Sequence, residues 1–238
     1  MLGQLLLEEK EMGIKGGLYH KVQIELAFNS NHIEGSQLSH DQTRYIFETN
    51  TIGFEDSSSI KVDDIIETSN HFTAVDFLLD SFQVELTTDW IKHIHAILKR
   101  GTSDSRKSWI RVGNYKILPN EVGGRETTLP ENVDAEMEKL IENYVKLSQV
   151  RFEDVLNFHV QFERIHPFQD GNGRVGRLIM FKECLKHQHV PFIIDDDMKY
   201  FYYRGLSEWG EQNGFLLDTC LAAQDKFKAY LEYFRIEY

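Results

Sequence analysis

Twelve consecutive residues, 166–177, read His-Pro-Phe-Gln-Asp-Gly-Asn-Gly-Arg-Val-Gly-Arg. They bring together a titratable base, a carboxylate, a Gly-Asn-Gly turn and two guanidinium groups. Pro167 stops a helix arriving from the N-terminal side at or before its own position. Gly171 and Gly173 can adopt positive φ and leave backbone N–H groups unshielded, which makes an anion-binding nest. An amphipathic run (Val175, Leu178, Phe181, Leu185) follows directly, so the nest opens a helix. The orphan N–H groups and dipole of a helix N-terminus add to the pull on an anion. Arg174 and Arg177, three apart, share a helical face. Phosphate is the ligand that fits best.

The pattern carried by His166, Pro167, Phe168, Asp170, Gly171, Asn172, Gly173, Arg174 and Arg177 resembles the signature of the Fic family. The usual members of that family move AMP from ATP onto a protein hydroxyl, and the resemblance implies a role for each residue. His166 is the general base that takes a proton from a target Ser, Thr or Tyr, which an ordinary pKa of about 6.5 allows near neutrality. Asp170 holds Mg²⁺, a hard cation suited to carboxylate and phosphate oxygens. Gly171, Asn172 and Gly173 supply backbone and side-chain donors to the α- and β-phosphates of ATP. Arg174 and Arg177 neutralise the β- and γ-phosphates as pyrophosphate leaves. Phosphoryl-type chemistry of this kind rests mainly on positioning and electrostatics.

A second motif lies at 30–35, Ser-Asn-His-Ile-Glu-Gly, within a predicted helical segment over 19–36. Gly35 stands where a helix C′ residue belongs, and Ser30 and Glu34 are one turn apart. The motif is similar to the Ser/Thr-x-x-x-Glu-Gly/Asn element that marks self-inhibition in many Fic proteins. By that resemblance Glu34 pairs with Arg177, the arginine meant for the γ-phosphate. Alone, Glu34 would read as a solvated residue at a helix end; beside the intact signature, the inhibitory reading is the stronger.

Between 109 and 130 the helical pattern breaks. Trp109, Ile110, Val112, Tyr115, Ile117 and Val122 stand among glycines at 113, 123 and 124 and prolines at 119 and 130. Such punctuation predicts a hairpin. In the Fic family the matching place is a flap over the active site that holds the target protein by strand addition. Val122, Gly123 and Gly124 would then lie near the nucleotide; an ordinary connecting hairpin is the alternative. Tyr202 and Tyr203 resemble the wall that faces adenine, although an aromatic-rich helix can equally be core. Gly210 replaces a polar adenine contact of some members, so base recognition stays open.

These residues need a scaffold, and the composition supplies a helical one. The 238 residues, 41% hydrophobic with four prolines, suit one sizeable core over 1–238. The fold class expected is all-α, a Fic-type helical bundle with one β-hairpin flap. A net charge of −12 argues against a nucleic-acid surface. Cys184 and Cys220 stand far apart and suit reduced core thiols. Leu2 and Leu5–Leu7, closed by Glu8 and Glu9, are too short a patch for a signal peptide or membrane span. A soluble, cytoplasmic protein without a membrane partner is expected, with a homo-oligomer left open.

Further along the chain, Ser39 and Gln42 form a predicted capping box. Residues 53–60 read as an exposed loop. Helices are expected over 63–80, from Thr87 or Thr88 to near Gly101, over 133–149, over 152–165, from after Tyr203 to Trp209 and over 216–234. Asn70, His71 and His95 read as structural hydrogen-bonding residues. Neither His93 with His95 nor His187 with His189 has a third ligand at useful spacing.

Three other functions use the same residues. Phosphorylation is disfavoured, because the family members that carry it out have lysine where Gly173 stands. Removal of AMP, with Glu34 orienting a water, is a second enzymatic reading. An ATP-sensing binding module locked by Glu34 is the non-enzymatic one.

Overall fold

A computed structural model describes residues 1–53 and 59–238, so most of the loop expected over 53–60 lies outside the described residues. In chain order the elements are α1 (Leu2–Met12), α2 (Leu18–Ile33), α3 (His40–Thr49), α4 (Val62–Asp80), α5 (Thr88–Lys99), β1 (Glu121–Val122), β2 (Arg125–Glu126), α6 (Pro130–Val145), α7 (Phe152–Ile165), α8 (Asn172–Lys186), α9 (Lys199–Glu208) and α10 (Gly214–Tyr233). The all-α expectation with one hairpin holds.

Helix α8 is the axis of the packing. Thirteen of its fifteen residues are buried, and it meets α1, α2, α4, α5 and α7. A helix buried on every side has no polar stripe, and even Lys182 and Glu183 are enclosed as a pair, 2.6 Å apart. Around it α4 packs on α5, α6 on α7 and α9 on α10. Ala27, Leu38, Ile46 and Phe72 form a small satellite core under α3. The signature therefore runs from the end of α7 into the buried helix that most of the fold is built against.

Local signals set several boundaries. The Ser39 hydroxyl accepts from the Gln42 N–H and the Gln42 side chain accepts from the Ser39 N–H, a complete capping box. The Thr87 hydroxyl caps α5 by accepting from the Trp90 N–H. Gly35 follows α2 at φ +96°, a left-handed conformation that glycine adopts without strain. Asn70 donates to the carbonyls of Leu98 and Arg100 and ties α4 to the end of α5.

Other expectations need correction. The hairpin over 109–130 shrinks to two-residue strands joined through Gly123 and Gly124, both left-handed as a type I′ turn requires. Residues 109–118 are not strand, because their backbone bonds elsewhere: the Lys116 N–H donates to Pro167 O and the Gly113 N–H to His95 Nδ1. Helix α6 starts earlier, with Pro130 in its first turn, and ends at Val145 rather than 149. Helix α9 takes in Lys199–Tyr203 from its start. The leucine patch near the start is an amphipathic helix with Leu6 in the core.

Phe168 carries the signature loop into the core. It is fully buried and stacks on His95 with ring centroids 3.9 Å apart. Phe168→Ala should cost about 3–5 kcal/mol of stability, as a large buried aromatic does when truncated. Chemical denaturation measures it, and a loss under about 1 kcal/mol would show that the loop is held by other means.

Candidate active site

Helix α7 ends at Ile165 and His166 caps it in the left-handed region (φ 51°, ψ 62°), its N–H still donating to Phe162 O. A non-glycine residue there costs energy and persists only where the surroundings enforce it. The enforcement comes from Asn172. Its amide oxygen accepts from the Phe168 N–H and its amide nitrogen donates to Phe168 O, both at 2.8 Å. The side chain of Asn172 is buried and spent on this loop, which corrects the expectation that it reaches a phosphate. Gly171, at φ +82°, turns the chain into α8, and no side chain caps that helix. The first turn thus offers the N–H groups of Asn172, Gly173 and Arg174 to an anion.

Arg174 and Asp170 belong to a buried charge network. Arg174 donates to Glu67 Oε2 at 2.6 Å and to Asp170 Oδ2 at 3.3 Å. Lys99, 2% exposed, reaches Glu67, Asp104 and Asp170 Oδ2 at 2.6, 2.8 and 2.6 Å. Burial alone would raise the Asp170 carboxyl, but Arg174 and Lys99 hold it well below the usual carboxylate range. Both cations bond Oδ2, which leaves Oδ1 for a cation in the site. A single ionised, half-exposed carboxylate beside an uncapped helix N-terminus suits Mg²⁺, which takes few protein ligands together with phosphate oxygens. Sequence reasoning missed Glu67, Asp104 and Lys99. No sequence signal pointed to them; in the fold Lys99 follows His95 by one turn, and His95 Nε2 bonds Asp170 O.

His166 is largely buried, and its Nδ1 faces Glu163 Oε2 at 3.8 Å. Burial first, then the charge of Lys116, takes its imidazole down to about 4. It is therefore neutral at physiological pH, and its buried Nδ1 meets no hydrogen-bond partner among the described residues. Glu163, another residue the sequence reading passed over, sits one turn before His166, and burial pushes its carboxyl up to about 8.

The two distant motifs meet. Arg177, 6% exposed, donates from Nη2 to Glu34 Oε1 at 2.7 Å and to Ser30 O at 2.9 Å, and from Nε to Ser30 Oγ at 2.9 Å. Burial would raise the Glu34 carboxyl, yet the charge and hydrogen bond of Arg177 lower it. The carboxylate lies against the first turn of α8, where a Cβ on Gly173 would collide with it. Glycine at 173 thus lets Glu34 enter.

The hairpin root is tied to the signature: Asn120 Nδ2 donates to Phe168 O at 3.1 Å. Val122 is exposed at the hairpin tip with Gly123 and Gly124. The tyrosines divide. Tyr202 is 1% exposed, with its hydroxyl 2.6 Å from His159 Nε2, so it presents no face to a base. Tyr203, 43% exposed, keeps an open face.

Buried histidines frame the site and give it a pH signature. Burial takes His71, His95 and His159 each down to about 3. No hydrogen-bond partner among the described residues meets either ring nitrogen of His71, which corrects its assignment as a bonding residue. An unfolded histidine binds its proton near 6.5, so the stability these residues favour is complete above pH 6.5. Each loses about 1.4 kcal/mol per unit as the pH falls from 6.5 towards 3. Glu163, protonated in the fold, returns about one such increment per unit between 8 and its unfolded value near 4.3. The histidines outweigh it, so the melting temperature should drop steeply between pH 6.5 and 5. A flat thermal profile over that range would contradict the burial of these rings.

Residues 85–184 match the model described as the Fic/DOC family, a span that takes in the whole signature. Over those residues the chain is similar to a Fic domain. A protein of Nematostella vectensis named protein adenylyltransferase Fic is 24% identical over 86% of this chain and 48% of its own length. A Drosophila erecta protein of the same name is 27% identical over 79% of this chain and 38% of its own. The chain thus spans about half or less of these curated relatives. Among solved structures, a Fic domain containing signaling protein of Bacteroides thetaiotaomicron superposes with a TM-score of 0.71 at 26% identity, covering 90% of this chain and 81% of that one. A Fic-1 fragment from C. elegans, 19% identical, shares the fold with a TM-score of 0.73 over 98% of this chain and 73% of its own. Among the described residues no helix is long and apolar enough to cross a membrane.

Proposed function

We propose that this Fic domain, read as one unit over 1–238, is a cytoplasmic protein adenylyltransferase that transfers AMP from ATP to a Ser, Thr or Tyr hydroxyl of a target protein and of itself. The observation that carries the reading is the placement of a neutral His166 beside the uncapped N-terminus of α8, with the signature complete around them. The target oxygen attacks the α-phosphorus, the bond to the β-phosphate oxygen breaks, and pyrophosphate leaves. The hydroxyl proton passes to His166 Nε2, because Nδ1 is turned to Glu163. N–H groups of the α8 first turn hold the phosphates, Arg174 adds charge beside them, and Arg177 clamps the γ-phosphate once free of Glu34. Mg²⁺ held by Asp170 supplies charge neutralisation on the phosphates.

The target chain docks along the exposed hairpin edge, and Tyr203 offers a face to the adenine. Glu34, occupying Arg177, inhibits: ATP can enter, but its phosphates are displaced from the line of attack. Incubation with labelled ATP and Mg²⁺ tests this reading. Covalent label on protein is expected, strongest in Glu34→Gly, whereas nucleotide binding without label would leave only an ATP-sensing module.

A further inference from the structure

Lys116 is 3% exposed, and no carboxylate among the described residues pairs with it. Its ammonium donates to Asn120 Oδ1 at 2.7 Å, Thr127 Oγ1 at 2.6 Å and Ile165 O at 3.4 Å. Asn120 and Thr127 are the residues on either side of the β1–β2 hairpin, and they also bond each other. Ile165 is the residue before His166. The backbone N–H of the same lysine donates at 2.8 Å to Pro167 O, the residue after His166. One residue therefore holds both stems of the hairpin and the chain on both sides of the base.

A buried ammonium without a counter-ion is costly unless its hydrogen bonds are met. Here they are met by neutral oxygens, one of them the last carbonyl of α7, where a helix end favours a cation. Burial still pushes this ammonium down to about 8. The network is wider than the loop needs for its own closure, since Asn120 and Asn172 already bond Phe168. What Lys116 alone adds is a link between the hairpin stems and Ile165, the residue before the base.

We propose that Lys116 is a positioning residue that sets the target-docking hairpin in register with His166. The proposal rests on the reading that the hairpin receives the target chain. Lys116 before the hairpin, Glu34 at the end of α2 and Asp170 in the signature loop act on the His166 ring through their charges, and the Glu163 carboxyl on α7 lies 3.8 Å from its Nδ1. Lys116 is the cation among them.

The test compares Glu34→Gly with Glu34→Gly/Lys116→Met. Amide hydrogen exchange over residues 121–126 should quicken about tenfold or more, in line with the loss of charge-assisted hydrogen bonds. Exchange in α8 should not change. The kcat for self-labelling should fall about tenfold with the KM for ATP held within about twofold, because the nucleotide site is intact. The NMR titration of His166 should move to higher pH with the cation gone, which a merely structural tie would not cause. Unchanged hairpin exchange in folded Lys116→Met, or an equal fall in ATP affinity, would overturn the assignment. Should that variant fail to fold, Thr127→Val decides, since it keeps the ammonium and removes one acceptor. Hairpin exchange about threefold faster is then expected, and none faster would overturn the assignment. Absence of label from Glu34→Gly itself would remove the transferase reading, while the exchange data still decide the anchor.

Discussion

Replacing His166 by alanine should lower AMP transfer by about 10²- to 10⁴-fold, the usual cost of losing a general base. ATP binding should be largely spared. The imidazole stands at the end of α7 with Nδ1 turned towards Glu163, and the groups proposed to bind phosphate belong to the first turn of α8 and to Arg177. Base and anion site thus come from different elements. The low imidazole pKa, about 4, adds a second expectation. Lowering the pH from 7 to 6, below the values near 8 of Glu163 and Lys116, should leave the rate nearly flat, because the ring is already neutral and its protonation lies below that window. Calorimetry with a non-hydrolysable ATP analogue, beside rates of labelling, separates the two effects. Full labelling by His166→Ala, or a rate that titrates near pH 6.5, would remove His166 from the role of base.

Glu34→Gly should raise self-labelling by about 30- to 1000-fold. Arg177 has two candidate anionic partners, the γ-phosphate and the Glu34 carboxylate, and in the structure Glu34 Oε1 occupies it at 2.7 Å. Ser30 fixes the same guanidinium through two more bonds, so the arginine is already oriented when Glu34 leaves. A partly buried, charge-assisted pair of this kind is worth roughly 2–4 kcal/mol, which sets the range of activation. Helix α2 is rooted in the core through Leu18, Val22, Leu26 and Ile33. Release is therefore a movement of the last turn or of the side chain, and the glycine variant should stay folded. Arg177→Ala should be inactive although it too lacks the pair, and the double variant should resemble Arg177→Ala. Additive behaviour would mean that the two residues do not share one interaction.

The helical scaffold was legible where periodicity and caps agree, as at Ser39, Thr87 and Gly35. The signature was legible because its residues are contiguous, so local spacing brings base, carboxylate and nest together. The Glu34–Arg177 contact spans 143 residues and was reached only through the likeness of two motifs. Lys99, Glu67 and Lys116 escaped notice because nothing in local spacing links them to 166–177. Their roles arise from the packing of α4, α5 and the segment before the hairpin. The hairpin was overdrawn for a related reason: Ile110 and Tyr115 are buried in the core, and the backbone N–H groups of Gly113 and Lys116 bond His95 and Pro167 rather than a partner strand. The Tyr202 ring was misplaced because an exposed and a buried tyrosine look alike in sequence.

The central claim is that this domain transfers AMP and that Glu34 restrains the transfer. Intact mass spectrometry of wild type and Glu34→Gly after incubation with ATP and Mg²⁺ tests both parts at once, since the adduct mass names the transferred group. An increment of one AMP moiety is expected, abundant in Glu34→Gly and scarce in wild type. An increment of one phosphate, or no adduct on Glu34→Gly, would contradict the account.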